Sequence, residues 1–166
     1  MVTPPNDMSR RRAACLLAAC LLAAYGLIAA PAALALIPSA AAETDAKSLV
    51  VAFYRMVFED HHVQEAFDRY VALLYTQHNP RVPDGPAPAI AFLSGRFARY
   101  PQARNTIIRV IAEGDLVAVH SHSQITPEDR GAAIVDIFRV ENGRIVEHWD
   151  VIQPVPETSA NGHTMF

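Results

Sequence analysis

Beyond residue 42 the chain has no cysteine; Cys15 and Cys20 both lie in an N-terminal stretch of different composition. The remaining 124 of the 166 residues therefore hold no disulfide, no thiolate nucleophile and no Cys-based metal site. Such a domain is held by its core alone. A basic run or stripe is also missing. Past residue 42 there are 11 basic and 16 acidic side chains, and the basic ones are scattered, which removes the electrostatic footprint of a nucleic-acid binder. No internal repeat occurs, nor any short metal-binding spacing such as His-Glu-x-x-His. The length suits one domain and is too short for two.

The first 42 residues read as an export signal. Ser9-Arg10-Arg11-Arg12 is a basic start, residues 13–37 are uncharged and rich in Ala and Leu, and Ala40-Ala41-Ala42 fits a small-x-small cleavage pattern. This places the domain of residues 43–166 in the periplasm or outside the cell. The Arg pair after Ser9 and the helix breakers Gly26 and Pro31 resemble a twin-arginine leader, although no Phe-Leu-Lys follows. The uncharged run is also long enough to span a bilayer if it is not cleaved, though alanine is weakly apolar and Pro31 interrupts it. A membrane then enters only through the leader. Leu17-Ala18-Ala19-Cys20 resembles a lipoprotein processing box, but the apolar run continues well past Cys20.

In residues 46–59, Leu49, Val50, Phe53, Met56 and Val57 are spaced to form one apolar stripe of a helix. Phe67, Tyr70, Val71 and Leu74 predict a second helix over 63–74, and Ile90, Leu93, Phe97 and Tyr100 a third over 87–100. Residues 79–86, dense in proline, are a loop between them. After Pro101 the period falls to 2 and β-branched residues increase, predicting strands at 105–113, 116–125, 132–141 and 144–153. Gly114-Asp115 and Asn142-Gly143 are tight turns, the second a strong hairpin signal. The layout is α+β, three N-terminal helices packed on a curved antiparallel sheet, with residues 154–166 as an irregular tail.

Side chains two apart on a strand share a face, so His120 and His122 form one pair and His148 and Asp150 another, with Asp136 on the strand between. Titratable groups gathered on one side of a sheet make a cofactor-free acid/base pocket. Asp136 sits in an apolar run, where a charge is costly unless paired, and it is placed to hydrogen-bond His148 across the hairpin. His78 belongs at the rim, and Phe138 and Trp149 among the binding or packing residues. Two other uses of the same residues stand open. The histidines with Asp136 or Asp150 could supply nitrogen and oxygen ligands to a metal, and the cavity could hold a small apolar ligand without reaction. The acid/base reading needs no metal and no cofactor.

The stretch Ile137-Phe138-Arg139-Val140-Glu141-Asn142-Gly143-Arg144-Ile145-Val146-Glu147-His148-Trp149-Asp150 resembles the SnoaL-like proteins of the nuclear-transport-factor-two-like cone-fold superfamily. Tyr75-Thr76-Gln77-His78-Asn79-Pro80 and the closing Asn161-Gly162-His163-Thr164-Met165-Phe166 agree with it. The branch it resembles is described as predicted aldol-condensation enzymes. The resemblance implies a cone-shaped barrel with a deep apolar pocket, commonly a homodimer through the convex sheet face. Relatives include polyketide cyclases, ketosteroid isomerases, epoxide hydrolases and dehydratases that work without a cofactor. By the same resemblance Asp150 matches a general acid/base, and His120 or His122 lies where relatives place an activating group. No Asp–Arg–Asp set is seen, which weighs against epoxide hydrolysis. The expected chemistry is thus proton abstraction α to a carbonyl by Asp150, with His148 or His120 as acid, on a small apolar compound. Burial must raise the pKa of Asp150 for that role near neutrality.

Overall fold

The computed structural model describes residues 40–166, with side chains from Asp45 onward. The leader readings of residues 1–39 lie outside the described residues. Among the described residues no helix is long and apolar enough to cross a membrane.

Helix α1 (Ala40–Phe58) buries Val50, Phe53, Tyr54 and Val57 on one stripe. Helix α2 (Val63–Tyr70) follows, then β1 (Val71–Gln77), α3 (Pro86–Arg99), β2 (Arg104–Glu113), β3 (Leu116–Gln124), β4 (Ala132–Glu141) and β5 (Arg144–Pro154). The strands form one open sheet in the order β1-β5-β4-β3-β2. β1 runs parallel to β5, and the other neighbours are antiparallel. This is an α+β fold of the cone type, with three helices against a sheet.

One expectation fails at the second helix, which stops at Tyr70 rather than Leu74 and leaves a fifth, parallel strand. Val71 takes extended dihedrals, φ −102° and ψ 143°, as suits a β-branched residue. It pairs with Ile145, and Gln77 pairs with His148. Without β1 the backbone of β5 would be an unpaired edge, so tertiary pairing outweighs the helical spacing of Val71 and Leu74. Val71 and Tyr75 turn inward, whereas Leu73 and Leu74 are each 90% exposed beside a break in register.

Local signals fix the other boundaries. Gly85, at φ 91°, allows the backbone turn into α3, and Pro86 occupies the first helical position, where its missing N–H costs nothing. Asn142 and Gly143 both have positive φ, 51° and 73°, as a two-residue hairpin requires. Phe53 anchors the core through edge-on contacts with Phe67 at 5.3 Å and Phe138 at 5.7 Å. Each such ring contributes roughly 1.5–3 kcal/mol by burial. These aromatic contacts tie α1 and α2 to the sheet and wall one side of a cavity.

Candidate active site

Strand pairing decides which side chains face the helices. Val119, Asp136 and Asp150 stand opposite one another on β3, β4 and β5 and so share a face. Val119 is wholly buried, which makes that face the inner one. Two carboxylates therefore point into the space beneath the helices. That space is a cavity of about 430 Å³, a size usual for small-molecule sites. Phe53, Phe58, Phe67, Phe92 and Phe138 supply much of its apolar wall, and Asp136, His148 and Asp150 lie on its polar side.

The polar side chains join into one hydrogen-bonded chain across the sheet. Arg96 on α3 donates from Nη2 to Asn105 Oδ1 at 3.2 Å and to Ser123 Oγ at 3.0 Å. Asn105 Nδ2 donates to the Tyr54 hydroxyl at 3.1 Å. That hydroxyl lies 2.9 Å from Asp136 Oδ2 and 2.7 Å from Ser121 Oγ. It has one proton, which goes to the carboxylate because a carboxylate only accepts, and the serine hydroxyl then donates to the phenol oxygen. Asp136 Oδ1 is 3.0 Å from His148 Nε2, and His148 Nδ1 is 2.9 Å from Gln77 Oε1. Asn79 donates its backbone N–H to the same Gln77 oxygen at 2.9 Å and its side-chain amide to Asp150 Oδ2.

Gln77 sets the protonation of His148. Its amide oxygen, already held by Asn79, can only accept, so His148 carries a proton on Nδ1. A second proton must lie between Nε2 and Asp136 Oδ1 for that contact to be a hydrogen bond. Burial, and next the Asp136 charge, push the Tyr54 and Tyr75 phenols far above their usual range. Both remain protonated donors. The Tyr75 oxygen accepts from Gln77 Nε2 at 3.2 Å, and its own proton has no acceptor among the described residues. Asp150 lines the cavity, and its Oδ1 likewise has no protein partner among the described residues.

A search against family profiles matches the SnoaL-like domain over residues 50–148. This chain belongs to the SnoaL-like domain family. Among solved structures it resembles a candidate ketosteroid isomerase from Kribbella flavida, at 17% identity and TM-score 0.57 over 72% of this chain and 85% of the other. A candidate polyketide cyclase from Acidithiobacillus ferrooxidans aligns at 19% identity and TM-score 0.54 over 65% and 87%. An NTF2-like protein of unknown function from Mesorhizobium loti aligns at 20% and 0.56 over 67% and 93%. At such identities the shared property is the fold. No curated protein matches.

In this SnoaL-like domain Asp136, His148, Asp150 and Phe138 meet at the cavity as the strand spacing predicts. His120 and His122 do not. His120 pairs with Val135 on β4, one position out of step with Val119, so both histidines occupy the outer face. There Arg109 Nη1 lies 2.8 Å from His120 Nδ1, and Phe166 of the tail packs on His120 and His122. Partial burial, and next the Arg109 charge, lower the pKa of His120. Trp149 is also on the outer face, stacked on His78 with ring centroids 4.7 Å apart. His78 Nε2 donates to Glu147 at 2.8 Å rather than to the cavity. Tyr54, Gln77, Asn79, Arg96 and Asn105 join the site without having been singled out for it from the sequence.

Asp136, His148 and Asp150 offer one donor atom each, all within 4.8 Å of one another, and form the one such group among the described residues. A metal could draw on them, but binding at His148 Nε2 would displace the Asp136 hydrogen bond. Outside the cavity, Glu147 accepts from His78 and from Arg139 Nε at 2.7 Å, and these bonds lower its pKa. A lowered carboxylate adds stability above its unfolded pKa, and this is lost as pH falls through the folded value. Glu147→Gln is therefore expected to cost up to about 1 kcal/mol at neutral pH, the difference from wild type vanishing in acid, as urea unfolding across pH will measure.

Proposed function

We propose that this SnoaL-like domain is an exported acid/base enzyme that enolises a small, largely apolar carbonyl compound, leading to isomerisation, aldol-type cyclisation or dehydration. The observation that carries this reading is the free Asp150 Oδ1 beside the proton-bearing His148–Asp136 pair, in a cavity rich in phenylalanine. Asp150 Oδ1 takes the proton α to the carbonyl. The C–H electron pair moves to the carbonyl oxygen, where Tyr75 O–H stabilises it, while both His148 nitrogens stay bonded to Gln77 and Asp136. Closure of an aldol ring or loss of water then follows from the enolate and the substrate's own second group. Every step uses side chains of this chain alone.

The test is a crystal structure of residues 43–166 soaked with cyclic ketones, with metal analysis of the same sample. A ketone bound with its α-carbon against Asp150 Oδ1 and its oxygen toward Tyr75 supports the reading. Stoichiometric metal on Asp136, His148 and Asp150 overturns it, and a ketone held away from Asp150 leaves simple ligand binding. Pairing as a homodimer is part of the proposal, favoured by Ile111 and Val151 on the outer sheet face, 65% and 67% exposed. Sedimentation as a monomer at micromolar concentration would refute it. Export is proposed from residues 1–42, and retention of the whole chain in the cytoplasm on fractionation would contradict it.

A further inference from the structure

Among the described residues Arg96 carries a charge that no acidic group meets by direct contact, its guanidinium lying over the Phe97 ring. It lines the cavity, and no carboxylate forms an ion pair with it among the described residues. Its Nη2 hydrogens are taken by Asn105 and Ser123, which fix the guanidinium plane against β2 and β3. Nη1 is buried without any hydrogen-bond partner, the one side-chain atom of the described residues in that condition. A buried donor left unmade costs stability, and a charge-assisted hydrogen bond from a guanidinium to a carboxylate is among the strong ones a protein makes. The same hydrogen-bonded chain that starts at Arg96 ends at Asp150. The cavity is thus polarised, cationic at the α3 end and acid/base at the β5 end.

We propose that Arg96 anchors a carboxylate group of the ligand, so that the cavity takes a carboxylic acid with an apolar body rather than a neutral ketone. A small turn of the guanidinium would present Nη1 to the ligand for a charge-assisted hydrogen bond while Nη2 keeps its contacts. A keto acid then lies with its carboxylate at Arg96, its body on the phenylalanine wall and its ketone toward Tyr75 and Asp150. This deepens the enolisation proposal by naming the substrate class, but it rests only on the cavity being a ligand site. Arg81 also lines the cavity, from an exposed loop position, and is the competing cation.

Binding of acetate, benzoate, cinnamate, 2-naphthoate and decanoate, each against its neutral amide, is measured by calorimetry on wild type and on Arg96→Met, Arg96→Gln, Arg81→Met and Asp150→Asn. Arg96→Gln keeps a donor toward Asn105 and Ser123 should Arg96→Met fail to fold. Wild type is expected to prefer at least one carboxylate over its amide by about 10-fold or more. Both Arg96 variants lose that preference while amide binding changes little. In Asp150→Asn the preference remains even if turnover is gone, which separates this inference from the catalytic one. Equal binding of every acid and amide by wild type, or a preference that survives in both Arg96 variants or follows Arg81, overturns the proposal.

Discussion

Asp150→Asn is expected to lower turnover by about 10²–10⁴-fold, the usual contribution of a positioned general base, while leaving stability within about 0.5 kcal/mol of wild type. The side chain is half-buried, with one oxygen held by Asn79 and the other free. The amide keeps the shape and a partner for Asn79 but cannot take a proton. Removing one of two carboxylates that face each other across β4 and β5 also relieves like-charge repulsion, so folding has little to lose. Steady-state kinetics with thermal unfolding of the same sample separates the two effects. Loss of fold rather than of rate would make Asp150 structural.

Asp136→Ala is expected to behave in the opposite way, destabilising the fold by about 3–5 kcal/mol. Asp136 is 5% exposed and accepts from Tyr54 and from the His148 side, while Tyr54 is wholly buried and in turn receives Asn105 and Ser121. Truncation leaves a buried phenol donor and a buried imidazole without their acceptor, and each carries its own desolvation cost. Asp136→Asn, which keeps an acceptor for Tyr54, should lose less. Urea unfolding monitored through Trp149 measures both. A cost below about 1 kcal/mol for the alanine variant would show that the hydrogen-bonded chain does not hold the sheet to α1.

The contrast between these two acids was partly legible in the sequence. Alternation on β4 and β5, pinned by the positive φ of Asn142 and Gly143, predicts that His148 and Asp150 share a face and that Asp136 reaches His148 across the hairpin. Parity alone does not say which face of β3 is inner, so the sequence groups His120 and His122 with the site although they lie on the outer face. Val117, Val119 and Ser121 fill the inner positions, and the two valines were the available signal. Tyr54 was hidden because a phenol in the apolar stripe of α1 reads as core until its partner on β4 is known. Arg96 sits on α3 beside Phe97, and nothing local shows that its guanidinium reaches β2. The strand Val71–Gln77 was masked by helical spacing, and with it the fact that Gln77 and Asn79 complete the chain from His148 to Asp150.

The central claim is that Asp150 removes a proton α to a carbonyl inside this cavity. The direct measurement is exchange of α-C–H for deuterium in ²H₂O, followed by proton NMR across cyclic ketones and keto acids small enough for the cavity, with wild type and Asp150→Asn side by side. Exchange of at least one compound above the buffer rate by wild type, abolished in Asp150→Asn, is the expected result. No exchange of any compound by wild type, or equal exchange by both proteins, would contradict it.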